Sequence, residues 1–329
     1  MKKQFFTLAA VSALTVGAGF LLMGQPGDSG KDKDDDSSEV IQKVAHRRLD
    51  DAAPVGGASA AGAAPSGQAV SQYGIQYHNG PVMSAGQNVY IIWYGTHSAT
   101  TKANLQTLVS NIGANTSNIN GTPYWNINTT YTNAAGAPIS NAVSFRKAVV
   151  DAGTSTSLTD AAIQNIVSAH LALPSTNAGY LPRDANGIYL VLTGTNVTAS
   201  SGFCTSYCGW HTHFTNGGVD IKYAFVGSPS RCPSSCAIQN PGPNGDLNTD
   251  GMASIIVHEM EEALTDPDLN AWWETSTGME NADKCAWTFG TTSLAPNGQR
   301  YNMTIGGLKW MIQQNWANVS PSGACKVAK

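Results

Sequence analysis

The chain has 329 residues, a formal net charge of −4 and only 12% charged side chains. There is no basic stripe or cluster of the kind a nucleic-acid-binding surface requires, so nucleic acid is excluded as a partner class. About three-quarters of the length is long enough to bury one sizeable core.

The N-terminus reads as an export signal. Lys2 and Lys3 precede an uncharged run, Phe5 to Met23, rich in Ala, Leu, Val and Phe. That is the charged-then-apolar order of a secretory signal, with a cut expected near Gly24. The run is also long enough to serve as an uncleaved anchor. No later segment reads as a membrane span. Residues 25–72 read as a disordered linker or pro-segment. Asp32 to Asp36 is a charge run, and Ala52 to Ala69 is almost wholly Ala, Gly, Pro and Ser. Such stretches offer too little apolar surface to offset the entropy of ordering them. The pair Arg47-Arg48 within it reads as a processing site or a solvated pair.

Residues 73–329 form the expected folded domain. Asn88 to Tyr94 (NVYIIWY) is a buried strand by its β-branched and aromatic content. Thr100 to Ile112 carries Leu105, Leu108, Val109 and Ile112 at helical spacing. Val143 to Val150 is a second strand. Leu158 to Leu173 is a second helix, stopped by Pro174. Gly187 to Leu192 and Ile221 to Val226 are further strands. A helix from Gly251 to Leu264 follows, capped by Thr249 or Asp250 and ended by Pro267. A short strand is expected near Leu308 to Ile312. The order predicts a single α/β domain: a mixed β-sheet flanked by helices in a zincin-like arrangement, with a disulfide-stabilised, loop-rich C-terminal part.

Six cysteines lie in this domain: Cys204, Cys208, Cys232, Cys236, Cys285 and Cys325. An even count in an exported chain points to three disulfides, with connectivity open. The two Cys-x-x-x-Cys pairs also fit a four-thiolate zinc site, which an oxidising compartment disfavours. Sequons fall at Asn115, Asn120, Asn128, Asn196, Asn302 and Asn318.

Several blocks together carry a resemblance. They are Tyr77 to Pro81 (YHNGP), Val89 to Gly95 (VYIIWYG), Phe203 to His211 (FCTSYCGWH), Arg231 to Pro233, Pro243 to Asp246 (PNGD) and Asp250 to Met252. In this order, with the six cysteines, the chain resembles the phosphate-induced protein 1 or EXORDIUM family over about Tyr77 to Cys325. The resemblance implies an extracellular or cell-wall protein; in plants the family is tied to growth and phosphate response without an established reaction. Plant members read like LAGTVTNP at the end of the last helix. Here the stretch is His258 to Pro267 (HEMEEALTDP). That is similar to a microbial branch with a metallopeptidase-like helix.

This helix carries the candidate chemistry. His258 and Glu262 stand four residues apart on one helical face. Zinc enzymes place two ligands this way, with the Glu after the first ligand activating water. The expected metal ligands are His258, Glu262 and Glu280, the last placed eighteen positions beyond Glu262 as in gluzincin-type peptidases. The expected catalytic residues are Glu259, as general base, and His211, as a donor to the oxyanion. Asp266 and Asp283 are supporting or alternative ligands. The opposing reading is a structural helix with a partly buried His258 and a solvated edge at Glu261 and Glu262.

Asp246, Asn248 and Asp250 alternate before a Gly as calcium loops do, but the twelfth position is Val257. The competing reading is an ordinary turn and helix cap. His211 and His213 form His-x-His, in a Gly-rich context that suggests a loop. His78 and His97 are expected to make structural hydrogen bonds. Trp272, Trp273, Trp310 and Trp316 read as core or rim aromatics, with a carbohydrate-stacking surface as the alternative. The functional expectation is a secreted zinc-dependent hydrolase, most simply a peptidase, acting on an extracellular or cell-wall protein. The alternative is a non-enzymatic cell-wall growth or signalling protein.

Overall fold

The computed structural model describes residues 74–113, 123–319 and 322–329, with the short strands Gln42–Lys43 and Ser117–Asn118. The expected export signal, the Arg47-Arg48 pair, the rest of the linker, and the sequons at Asn115 and Asn120 lie outside the described residues. Among those residues no helix is long and apolar enough to cross a membrane.

The elements that position the site are β1 (Gln87–Tyr94), α1 (Ala99–Asn111), β2 (Val143–Asp151), α2 (Asp160–Ala172), β3 (Gly187–Thr193), β4 (Gly209–Asn216), β5 (Val219–Val226) and α3 (Leu247–Thr265). Five of these strands lie in one mixed sheet in the order β4-β5-β3-β1-β2, with the two-residue strand Gln42–Lys43 as a sixth beyond β4. The last four of the five are mutually parallel, and β4 runs antiparallel to β5. Every residue of β3 is buried. This is the near-continuous apolar run expected of a strand covered on both faces. Tyr90 and Tyr189 face each other across β1 and β3, with rings stacked at 4.8 Å.

The main strands and all three helices were legible in the sequence; β4 was not. The stretch expected as a Gly-rich loop around His211 and His213 is instead a strand. Its hairpin to β5 turns at Gly217 and Gly218, with φ of 61° and 78°. A two-residue turn with both centres at positive φ matches strand twist, and only residues such as Gly accept it cheaply. Outside β4, the strand Gln42–Lys43 pairs antiparallel, Gln42 opposite His211 and Lys43 opposite Trp210.

Helix α3 starts earlier than expected, at Leu247, because Asp246 caps it by accepting from the Asn248 N–H at 3.0 Å. The helix is buried along its length from Thr249 to Thr265 and packs on β4 and β5, with α1 beside it. The solvated acidic edge considered for Glu261 and Glu262 is therefore absent: they are 0% and 1% exposed.

The six cysteines form three disulfides: Cys204–Cys232, Cys208–Cys236 and Cys285–Cys325. The four-thiolate zinc site is thereby overturned. Two bridges tie the chain entering β4 to the one-turn helix Pro233–Cys236. The third anchors the segment after Glu280 to the C-terminal strand Ala324–Lys326. Sequons Asn128 and Asn302 are fully buried and cannot carry a glycan in the folded chain.

Candidate metal centre

Three elements converge beneath the sheet edge. Helix α3 supplies His258, Glu259, Glu261 and Glu262; β4 supplies His211; the loop held by Cys285 supplies Glu280 and Asp283. The i, i+4 spacing brings His258 Nε2 within 2.9 Å of Glu262 Oε1. Asp283 Oδ1 lies 3.5 Å from the same nitrogen. The Asp283 N–H donates to Glu262 Oε1 at 3.1 Å, fixing the carboxylate from the far side. The other oxygen of Glu262, Oε2, is 3.6 Å from His211 Nε2. His211 Nε2 contacts Glu280 Oε2 at 2.9 Å.

The ligating atoms thus meet in two groups sharing Glu262: His258–Glu262–Asp283 and His211–Glu262–Glu280. Of the sequence-expected residues, His258 and Glu262 adjoin as foreseen, while Glu280 stands against His211. His211 is buried against that carboxylate instead of facing an open position. Asp266 supports the loop by accepting from the N–H groups of Asn270 and Ala271.

The electrostatics are unusual. His211, His258, Glu259, Glu261, Glu262 and Glu280 are all 0–1% exposed. Among the described residues no Lys or Arg forms an ion pair with any of these carboxylates. Burial pushes Glu262 up to about 7, with Asp283 adding to the effect. Burial likewise lifts Glu261 to about 8, and Glu259 and Glu280 well above the ordinary range. Burial, then the neighbouring His258, pushes His211 down to about 3, so its imidazole is neutral. Burial opposes a charge on His258, but Glu262, Asp283 and Glu259 outweigh it and raise that ring.

Among the described residues, several buried polar atoms of this centre have no hydrogen-bond partner: both oxygens of Glu259, both nitrogens of His258, Nδ1 of His211, Oε1 of Glu261 and Oε1 of Glu280. The short His258–Glu262 approach is a charge contact without hydrogen-bond alignment. Unpaired buried carboxylates are costly unless matched by a cation. A divalent ion suits this donor set of imidazole nitrogens and carboxylate oxygens. Glu261 differs, since the Tyr124 hydroxyl donates to its Oε2 at 3.0 Å. Nothing local in the sequence marks Tyr124 as that partner.

The remaining candidates serve structure. Of the two readings of the Asp246–Asp250 stretch the structure has the helix cap: Asp246 accepts from Thr101 and Thr249, Asn248 from Ser228 and Ser230, and Asp250 from Asn244. Each side chain has its own donors, so no shared oxygen cage forms. Trp272, Trp310 and Trp316 are buried, and the half-buried Trp273 ring is covered by His78 at 3.7 Å, which removes the carbohydrate platform. His78 and His97 bond the carbonyls of Trp273 and Leu192, as expected. His213 pairs with Asp220 at 2.7 Å.

Fold and site together define a disulfide-braced α/β domain with a buried imidazole–carboxylate centre. The conserved region of phosphate-induced protein 1 matches residues 75–317. The chain is 31% identical over 278 residues to EXORDIUM-like 3 of Arabidopsis thaliana, covering 74% of this chain and 81% of that protein. EXORDIUM-like 5 of the same plant is 30% identical over 276 residues, covering 74% and 75%. PHOSPHATE-INDUCED 1 of Nicotiana tabacum is 25% identical over 238 residues, covering 64% and 71%. No solved structure matches the chain. The chain belongs to the phosphate-induced protein 1 or EXORDIUM family. Its three disulfides agree with an oxidising, extracellular setting.

Proposed function

We propose that this chain is an exported metal-dependent hydrolase, a zinc peptidase acting on an extracellular or cell-wall protein. The observation that carries the reading is Glu259. It is fully buried, neither carboxylate oxygen has a hydrogen-bond partner among the described residues, and it adjoins the His258–Glu262 pair on the same helix. A purely structural glutamate in that position would find a donor.

His258 and Glu262 would hold the ion, with Asp283 or Glu280 completing the set. When bound, zinc supplies a Lewis acid and lowers the pKa of a coordinated water. Glu259, the carboxylate next to the first ligand, would take that water's proton as general base. Asp266 and the Cys285–Cys325 bridge hold the ligand loop in register. His211 keeps Glu280 in place. The strand β4 gives the site an edge on which an extended peptide can pair. The Gln42–Lys43 strand pairs there as such a peptide would, which supports reading the N-terminal segment as a pro-segment.

A second reading is favoured by the burial of every candidate ligand except Asp283. In it the chain is a non-enzymatic extracellular growth or signalling protein, and the ion only fastens α3 to its loop. The two separate in Glu259→Gln. The hydrolase reading predicts retained zinc and loss of cleavage across a quenched-fluorescent peptide library. Equal cleavage by wild type and variant sinks it.

A further inference from the structure

Glu262 divides its carboxylate between two histidines. Oε1 faces His258 Nε2 at 2.9 Å and Oε2 faces His211 Nε2 at 3.6 Å. Each histidine has a further carboxylate of its own, Asp283 at 3.5 Å for His258 and Glu280 at 2.9 Å for His211. Within each group of three, the ligand atoms lie within 4.8 Å of one another. The two groups therefore repeat one chemistry, imidazole plus carboxylates, on opposite oxygens of one shared residue.

We propose that the centre takes two divalent cations, with Glu262 bridging them: one at His258, Glu262 and Asp283, the other at His211, Glu262 and Glu280. This rests on the metal reading above but goes beyond a single zinc.

Two observations point to the second ion independently of the helix motif. Glu280 is fully buried, its Oε2 turned to His211 Nε2 at 2.9 Å, and among the described residues its Oε1 accepts no hydrogen bond. His211 lies on a different element and is also fully buried, with its Nε2 turned to the two carboxylates and its Nδ1 free. Bridging carboxylates hold paired ions about 3.5–4 Å apart, a spacing that suits hydrolytic sites. A set of imidazole and carboxylate donors fits zinc or manganese. The remaining group, His213, Asp220 and Asp268, is different. It is partly exposed, and Lys222 Nζ already sits 2.7 Å from Asp220.

The test is metal stoichiometry on the purified full chain, stripped with chelator and reloaded with zinc, read by elemental analysis and native mass spectrometry. Wild type should hold two ions. His211→Ala and Glu280→Gln should each hold one, Asp283→Asn should weaken the other, and His213→Ala should leave the count at two. Loading with cobalt should give exchange-coupled spectra in wild type and uncoupled spectra in His211→Ala. Folding of each variant is checked by its thermal transition, and Glu280→Gln stands in if His211→Ala does not fold. One ion in wild type, whether kept or lost in His211→Ala, overturns the second site while leaving the single-metal reading intact. No ion at all overturns both.

Discussion

The carboxylate of Glu259 lies directly against the backbone of Gly209. A Cβ built on Gly209 would stand 2.8 Å from Glu259 Oε1, 2.6 Å from Ile255 and 2.9 Å from the Phe225 carbonyl. The first residue of β4 therefore has to be glycine for α3 to approach the sheet edge with its glutamate in place. Gly209→Ala should cost about 1–3 kcal/mol, as overpacking does in a filled core. Chemical denaturation measures the loss. An unchanged midpoint would mean that helix and strand are not in this contact.

Tyr124 donates to Glu261 Oε2 at 3.0 Å, and its hydroxyl also reaches the Gln313 carbonyl at 2.9 Å. Removing the hydroxyl leaves a buried carboxylate oxygen without a partner. Tyr124→Phe should lower stability by about 1–3 kcal/mol. Metal content should be unchanged, since Glu261 belongs to neither ligand group. Loss of metal with full stability would contradict this division of labour.

The Cys285–Cys325 bridge closes a separation of 40 residues and anchors the loop carrying Glu280 and Asp283. Replacing both cysteines by serine should cost about 2–4 kcal/mol through the freer unfolded chain. It should also weaken zinc binding, because the ligand loop loses its tether. Isothermal titration on the stripped double variant reads the second effect. Affinity equal to wild type would show that the bridge only stabilises the fold.

A pH dependence follows from a pair remote from the centre, His170 and Asp151, 3.1 Å apart. The His170 bond holds Asp151 below the ordinary carboxylate value. Burial opposes charge on His170, but Asp151 and the Gly179 carbonyl outweigh it and raise that ring. The aspartate's contribution is present above its unfolded pKa and lost as pH falls through the lowered value. The histidine's is present below its unfolded pKa and lost as pH rises through the raised value. The pair thus stabilises most in mildly acidic solution, by about 1 kcal/mol or less. Asp151→Asn should show its largest deficit near pH 5–6 and a smaller one near pH 9. A deficit that grows with pH would reverse the assignment.

Much of this centre is legible in the sequence. His258 and Glu262 were readable because helical geometry fixes an i, i+4 pair regardless of tertiary context. Glu280 was readable from its place eighteen positions beyond Glu262, in a segment Cys285 could pin, and Asp283 only as a supporting or alternative ligand. The reach of His211 was not, since β4 has polar residues and a position near the sheet edge that weaken the usual strand signal. The burial of Glu261 and Glu262 was hidden for a related reason: acids are ordinarily exposed, and the groups against these, Tyr124 at Glu261 and His211 and Asp283 at Glu262, come from other segments of the chain. Tyr124 lies 137 positions from Glu261, a separation no local pattern bridges. The Asp246 stretch left two readings open, calcium loop and helix cap, because both uses require the same alternation of Asp, Asn and Gly; the structure has the cap.

The most direct test of the central claim, a metal centre built on α3, is the metal content of the purified full chain and of His258→Ala by elemental analysis after gel filtration. The account predicts tightly bound zinc in wild type, its loss in His258→Ala, and a lower melting temperature for wild type after chelation. A folded wild-type chain that carries no metal, and whose melting temperature is the same with chelator or added zinc, would contradict it.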